Sequence, residues 1–459
     1  MLVPNDQGQF ILQGEGGWEV TDEDLSGQTV CIPSGAYSHM NFQGLKGSEG
    51  APILITNCGQ GRVVIDAEGA YAALGADRAA HLRILGTGDP GEPYGFHFKN
   101  AGSWTAVIKM KEGATHIEIG YVEVEGPGYT GIAIQAYPYC DASLGRDSFT
   151  QYDTHVHHSY VHGVSGEGLY LGPSHYHEEI SPTSISAACP EGFPEAALRG
   201  VEVHHNVIED TGRDAIQVGA AIEGMRIHDN IIRRYALQGD WGHTGGIQIN
   251  PGSVGHVFNN HIDATGLETF DNAFQVAGGV DGPTYIYNNV VIGSEVPFLK
   301  LNRMGNPESP VYVMNNTFVL NPERSSTLSI ACAEAWEQPF FITNNIFTEY
   351  AYVGTFIYEN VDGVAYSKII GDQNDNCPIN GEIYLNGPDT DQQIPGNLYL
   401  KDSQDVGFAA LHQGDYHLLA DSPAVGTGED LSDLVTDDYD GQARPAGPFD
   451  QGAYVYIED

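Results

Sequence analysis

The sequence predicts an all-β chain wound as a right-handed parallel β-helix with terminal caps, and three observations predict it. Asparagine returns in one column: Asn206, Asn230, Asn260, Asn289, Asn316 and Asn345 are spaced by 24, 30, 29, 27 and 29 residues, with apolar residues on both sides. One residue type recurring at that interval describes a solenoid whose turns stack. A second set of short alternating segments keeps the same register: GLYLG at 168–172, AIQVG at 215–219, GIQIN at 246–250, AFQVA at 273–277 and FLKLN at 298–302. The composition agrees, since 58 Gly and 24 Pro suit short strands separated by turns and long helix-forming runs are scarce.

In chain order, residues 1–49 are expected to form an N-terminal segment and cap that covers the strand edge of the first coil. Residues 50–360 form the β-helix, about eleven turns with a repeat of about 27 residues. Asparagine suits its column because it tolerates left-handed backbone and bonds locally in tight corners. Ser159 and, before it, Gly120 are expected at the equivalent corner of earlier turns. In the second set, Leu169, Ile216, Ile247, Phe274 and Leu299 should point inward, as should Leu171, Val218, Ile249, Val276 and Leu301. Tyr170, Gln217, Gln248, Gln275 and Lys300 then form an outward stripe, the floor of a groove. Residues 361–459 lose the period and are expected to form a C-terminal cap or a segment packed along the helix.

The charge excludes some partners. With 61 acidic and 19 basic side chains the net charge is −42, which repels nucleic acid and anionic membranes. It also repels a strongly anionic substrate unless cations screen the field. No stretch approaches the length of an apolar membrane span. The six cysteines, Cys31, Cys58, Cys140, Cys189, Cys332 and Cys377, form no CxxC pair, which allows one or two disulfides and argues against a metal cluster. The opening MLVPNDQGQF has no basic-then-apolar leader, so a secreted chain would have had its signal removed. No trimerisation feature is recognisable, and a monomer is expected.

The asparagine column resembles the asparagine ladder of secreted right-handed β-helix proteins, particularly polysaccharide lyases of the pectate, alginate and chondroitin lyase type. GFAALHQGDYHLLADSPAVGTG at 407–428 and DDYDGQARPAGPFDQGAYVY at 437–456 resemble closing segments of such proteins, and CIPSGAYSHMNFQGLKGSEGAPILITN at 31–57 resembles their opening coil. The resemblance implies a polysaccharide substrate bound over the second strand set, a Lys/Arg pair and nearby calcium. The Asp-Pro-His signature of mannuronan epimerases and the paired-Asp and Gly-His-Gly pattern of polygalacturonases are absent. Fold-level likeness does not fix the reaction.

Candidate residues follow from these positions. Glu167, Asp214 and Asp271 stand just before the strands, with Glu167 and Asp214 in one register and Asp271 one residue earlier. With Asp240 they are candidate metal ligands, calcium being the expected cation. Trp241 and His243 approach the same edge as substrate-binding residues, with Tyr170, Arg213, Gln217, Arg234, Gln248 and Gln275. Lys300 and Arg303 are the candidate base and enolate partner of a β-elimination. Hydrolysis would instead use the carboxylates Glu167, Asp214 and Asp271, and a non-catalytic glycan-binding solenoid would use the same groove. A separate outward face carries His155, His157, Glu202, His204, Arg226 and His228, which suits either a transition metal or a packed polar surface. Farther on, Phe258 and Tyr287 replace the histidines, as expected where another segment covers the face.

Overall fold

The computed structural model describes residues 2–4, 9–12 and 17–21, and then 24–458 apart from 70, 137–142, 175, 177–193, 241, 280, 301–308, 331–339, 352, 354–375, 380–381 and 386–392. The chain is a parallel β-helix organised as two compact units, Met1–Arg226 with Tyr235–Gln238, and Ile227–Arg234 with Gly239–Asp459. No described helix is long and apolar enough to cross a membrane.

Each coil of the first unit supplies strands to three faces. On one, Ala80–Leu85, Thr115–Gly120, Thr150–His157 and Ala197–His204 pair in parallel. On the next, Phe96–Lys99, Val122–Glu125, Tyr160–His162 and Val207–Glu209 do so. On the third, Leu74–Gly75, Ile108–Met110, Ile132–Ile134, Leu169–Leu171 and Ile216–Val218 stack in register. Alternation builds the core, because every second side chain turns inward. Leu82, Ile117, Val156, Ile132, Leu169 and Ile216 are all buried. The Phe10–Leu12 strand lies on the edge of Thr29–Tyr37. Cys31 and Cys58, on adjacent coils with Cα atoms 5.5 Å apart, form a disulfide.

The second unit repeats the plan with Gly255–Phe258, Thr284–Tyr287, Val311–Met314 and Phe340–Thr343, and with His261–Asp263, Val290–Ile292, Thr317–Val319, Ile346–Thr348 and Leu398–Leu400. Its third face holds Gly245–Ile249, Asn272–Val276, Val296–Lys300 and Ser329–Ile330. Here the asparagine column is a hydrogen-bonded ladder. Asn230 Nδ2 donates to Asn260 Oδ1 (2.9 Å), Asn260 to Asn289 (3.0 Å), Asn289 to Asn316 (2.9 Å) and Asn316 to Asn345 (2.9 Å). Asn345 then donates to Asn397 at 2.8 Å, a sixth member that the sequence spacing conceals because it lies 52 residues on. The residue before each of the first five ladder positions, Asp229, Asn259, Asn288, Asn315 and Asn344, has left-handed backbone with φ of 51–58°, and Gly396 before Asn397 has φ 81°.

The C-terminal segment is held on this unit by the same corners. Asn288 Nδ2 donates to the Asp437 carbonyl, Asn315 to that of Asp450 and Asn344 to that of Glu429. Buried Arg444 donates to Asn288 Oδ1 at 2.9 Å. Tyr285, Tyr287 and Tyr312 pack against Val435 and Phe449, so the face where aromatics replace histidines is covered by this segment.

Two register expectations are corrected. Phe274 pairs with Phe298, Gln275 with Leu299 and Val276 with Lys300. Phe298, not Leu299, therefore holds the inward column, and Leu299 rather than Lys300 continues the stripe; Leu301 lies outside the described residues. The segment FLKL carries apolar residues on both parities, so alternation could not choose. Gly120 pairs with His157, which puts Val122, not Gly120, opposite Ser159. The Ser159 hydroxyl accepts from the Val122 amide at 3.4 Å, and the Ser159 amide donates to Asn206 Oδ1 at 3.1 Å.

Candidate functional site

On the third face of the first unit, the outward register positions of successive strands are Gly75, Lys109, Ala133, Tyr170 and Gln217. The stripe is present but its far end is covered. Gln217 Nε2 donates to Ser174 Oγ at 3.0 Å, the Tyr170 and Ser174 hydroxyls are hydrogen-bonded, and Gln217 is 1% exposed. On the two coils before Tyr170 lie features that the sequence reading missed. Lys109 and Lys111 stand two apart on a single coil. The Lys109 ammonium is 3.8 Å from Asp77, whose carboxylate also accepts the Lys111 backbone amide at 2.9 Å. Burial pushes the Lys111 amine below the ordinary lysine range and neighbouring Lys109 adds to this, against the pull of Asp77. Beside them, Gln135 is buried, and its Nε2 has no hydrogen-bond partner among the described residues. A buried donor left in that condition is costly without a ligand or water. A sequence signal existed: VIKMK at 107–111 precedes GIAIQ at 131–135 by one 24-residue repeat.

The carboxylates before the strands are not solvent-facing acids. Glu167, Asp214 and Asp271 are at most 1% exposed. Glu167 accepts from Thr130 Oγ1 at 3.1 Å and lies 3.4 Å from the Arg213 guanidinium, which sits over the Tyr129 ring. The Gly168 amide donates to the Asp214 carbonyl, so Glu167 and Asp214 share a register on adjacent coils, and a carboxylate oxygen of each lies within 4.8 Å of the other. Two buried carboxylates that close favour a shared proton or a cation. Their hard oxygen donors fit calcium in type, with further ligands needed from water or substrate.

In the second unit, Asp271 is bound by Ser294 Oγ at 2.7 Å and by the Glu295 amide, with Arg324 3.5 Å away. Arg324 also faces Glu295 at 3.6 Å. Burial pushes the Glu295 carboxyl up, with Arg324 opposing. Arg324 and Glu295 thus make Asp271 part of an ion-pair network that its sequence neighbours did not announce. Gln248 and Gln275 are in register and buried, Gln248 donating to Asn250 Oδ1 at 2.9 Å. The Asp240 carbonyl accepts from the His243 amide, and Arg234 is exposed with left-handed backbone. Of Lys300 only the backbone is described, and Trp241 and Arg303 lie outside the described residues.

On the histidine face, His155 pairs with Glu202 and His157 with His204 in the first unit, and the His157 and His204 rings stack 5.1 Å apart. His157 Nε2 meets Glu118 at 3.3 Å, and Arg226 meets Glu202 at 3.5 Å. In the second unit His228 pairs with Asp229 and stacks on Phe258.

No family model matches this chain, and no curated protein does. Among solved structures it is similar to an alginate lyase from Paenibacillus sp. str. FPU-7, with 13% identity over 68% of this chain and 97% of that one and a TM-score of 0.45. It is also similar to the pectate lyase Pel9A, at 12% identity over 96% and 98% of the two chains and a TM-score of 0.43. A lacto-N-biosidase from Eubacterium ramulus aligns at 10% identity over 72% of this chain and 64% of that one, with a TM-score of 0.36.

Proposed function

We propose that this protein is a secreted polysaccharide lyase that cleaves a uronate-containing glycan by β-elimination on the third face of its first unit. The observation that carries this reading is the Lys109–Lys111 pair. Lysines and arginines number only 19 in a chain of net charge −42, so two on one coil are more selective evidence than any carboxylate. Lys109 is suited to pair with the uronate carboxylate. Lys111, its amine pushed down by burial and by Lys109, is suited to take the proton alpha to that carboxylate. The electron pair released forms the ring double bond as the glycosidic C–O bond breaks, and the Lys111 ammonium returns the proton to the leaving oxygen. Tyr170, on the same outward stripe, offers a ring to the substrate. Calcium, if bound, would be held by Glu167 and Asp214 and would lower the charge of the acid-rich surroundings.

A second reading rests on those same carboxylates. Their close approach also suits acid–base or nucleophilic hydrolysis of a neutral glycan, which the protein's charge would not repel. Incubation with uronate-rich and neutral polysaccharides, with calcium or chelator, separates the two. Elimination yields new chain ends with the ultraviolet absorbance of an unsaturated uronate, and hydrolysis yields reducing ends without it. Under the lyase reading Lys111→Ala lowers kcat by about a hundredfold to ten-thousandfold. The wild-type rate should rise with pH at lower pH than an ordinary lysine would allow. Reducing ends without ultraviolet absorbance, abolished by Glu167→Gln, would replace elimination with hydrolysis. Neither product across the panel would leave glycan binding.

A further inference from the structure

The second face of the first unit carries a cluster that the lyase reading does not use. His97 is paired with Glu123 on the adjacent coil, and Glu125 with His162 on the next. Outward positions of three successive strands thus bring two imidazoles and two carboxylates together. His97 Nε2 lies 2.7 Å from Glu125 Oε2 and 3.6 Å from Glu123 Oε1, and His162 Nε2 lies 3.3 Å from the same Glu123 oxygen. One donor atom each from His97, Glu123 and Glu125 falls within a 4.8 Å sphere of separations.

We propose that His97, Glu123 and Glu125, with water completing the shell, bind one zinc ion, or a similar divalent transition metal, that ties two adjacent coils together, with His162 holding Glu123 from the next coil. Tetrahedral zinc with ligand bonds of about 2.0–2.1 Å needs donor atoms about 3.3 Å apart, and the 2.7 and 3.6 Å from His97 Nε2 to Glu125 Oε2 and Glu123 Oε1 bracket that edge. The nearby cations leave the right atoms open. Arg62 holds Glu123 through Oε2, the oxygen that faces neither histidine, and Lys99 is turned to Asp66 at 3.4 Å. Both imidazoles approach Glu123 Oε1 through Nε2, a convergence suited to mixed nitrogen and oxygen ligation. His97 and Glu123 are 12% and 15% exposed and Glu125 40%, so the site is anchored in the sheet and open to solvent on the Glu125 side.

The test uses untagged protein stripped with chelator, titrated calorimetrically with zinc chloride and separately with cobalt for its visible spectrum. The expected result is one tight zinc equivalent, tetrahedral-type cobalt absorption, and a Tm that rises with zinc. His97→Ala should weaken that equivalent at least tenfold and remove the cobalt bands, while His204→Ala/His205→Ala should retain both. Glu125→Gln, which keeps size and fold, should weaken binding without lowering the zinc-free Tm. No zinc binding by wild-type protein, or binding undiminished in both ligand-site variants, overturns the proposal.

Discussion

The corner that turns each coil is solved differently in the two units. In the second, the left-handed positions before the first five ladder members are Asp or Asn, namely Asp229, Asn259, Asn288, Asn315 and Asn344, and Gly396 precedes the sixth. In the first, the matching positions are Tyr121, His158 and His205, with φ of 57°, 49° and 55°. Left-handed backbone costs an ordinary residue about 1–2 kcal/mol, and short polar side chains tolerate it best. The backbone demand is therefore common to both units, and the side chains differ by what they must do next. The asparagine amides of the second unit anchor the C-terminal segment. The rings of the first stack outward instead, Tyr121 on His158 and His158 on His205, each 4.8 Å apart, beside Tyr94 in a surface cleft. The ladder also differs: amide to amide from Asn230 to Asn397 in the second unit, but Val122 and Ser159 at the two rungs before Asn206 in the first.

The largest test of this contrast is a missing rung. Asn316 Oδ1 accepts from Asn289, and its amide donates to Ile286, Met314 and Asn345. Asn316→Ala leaves several buried groups unpaired and should cost about 3 kcal/mol, read by chemical denaturation; a loss below the level of a surface substitution would mean the ladder is decorative. Next, Asn344→Ala removes the bond to the Glu429 carbonyl and the one accepted from its amide. It should cost about 2 kcal/mol, and limited proteolysis should nick the C-terminal segment first.

The imidazole corners should also make the first unit the acid-sensitive one. Burial, with His157 and His205 adding, lowers the His158 pKa. A lowered histidine binds fewer protons folded than unfolded, so stability rises with pH and falls as pH drops below about 6.5. Glu118 acts in a lower window. Burial alone would raise it, but its bonds to His157 and Arg83 hold it at about 2, so its contribution disappears as pH falls from the ordinary carboxylate range towards that value. Hydrogen exchange at mildly acid and neutral pH should show protection lost around residues 115–125 and 154–162 before the ladder of the second unit; equal loss in both would remove the distinction. The smallest effect is expected for Tyr121→Asn, where relief of left-handed strain offsets the lost ring stack and the unfolding free energy, read by chemical denaturation, should move by no more than a surface substitution, about ±0.5 kcal/mol.

Much of the fold was legible because the repeat is chemical as well as periodic. The column from Asn206 to Asn345, and the inward positions from Leu169 to Val276, could be read from spacing alone. Asn397 escaped because a long insertion separates it from Asn345, and FLKL escaped because apolar residues fall on both of its parities. The site was less legible. Glu167 and Asp214 were placed correctly in register, but in so acidic a chain nothing in the sequence distinguishes a buried carboxylate from an exposed one. Lys109 and Lys111 lie where the corner residues are Tyr and His, upstream of the asparagine column used to set the register. Their significance depends on burial and on the neighbouring coil, which sequence spacing does not report.

The most direct test compares Lys111→Ala with Lys300→Ala in the ultraviolet assay on a uronate polysaccharide that wild-type protein cleaves. The lyase account predicts that Lys111→Ala loses nearly all elimination while folding normally by circular dichroism, and that Lys300→Ala keeps most of it. Full activity in Lys111→Ala, or its loss in Lys300→Ala alone, would contradict the placement of the chemistry on the first unit.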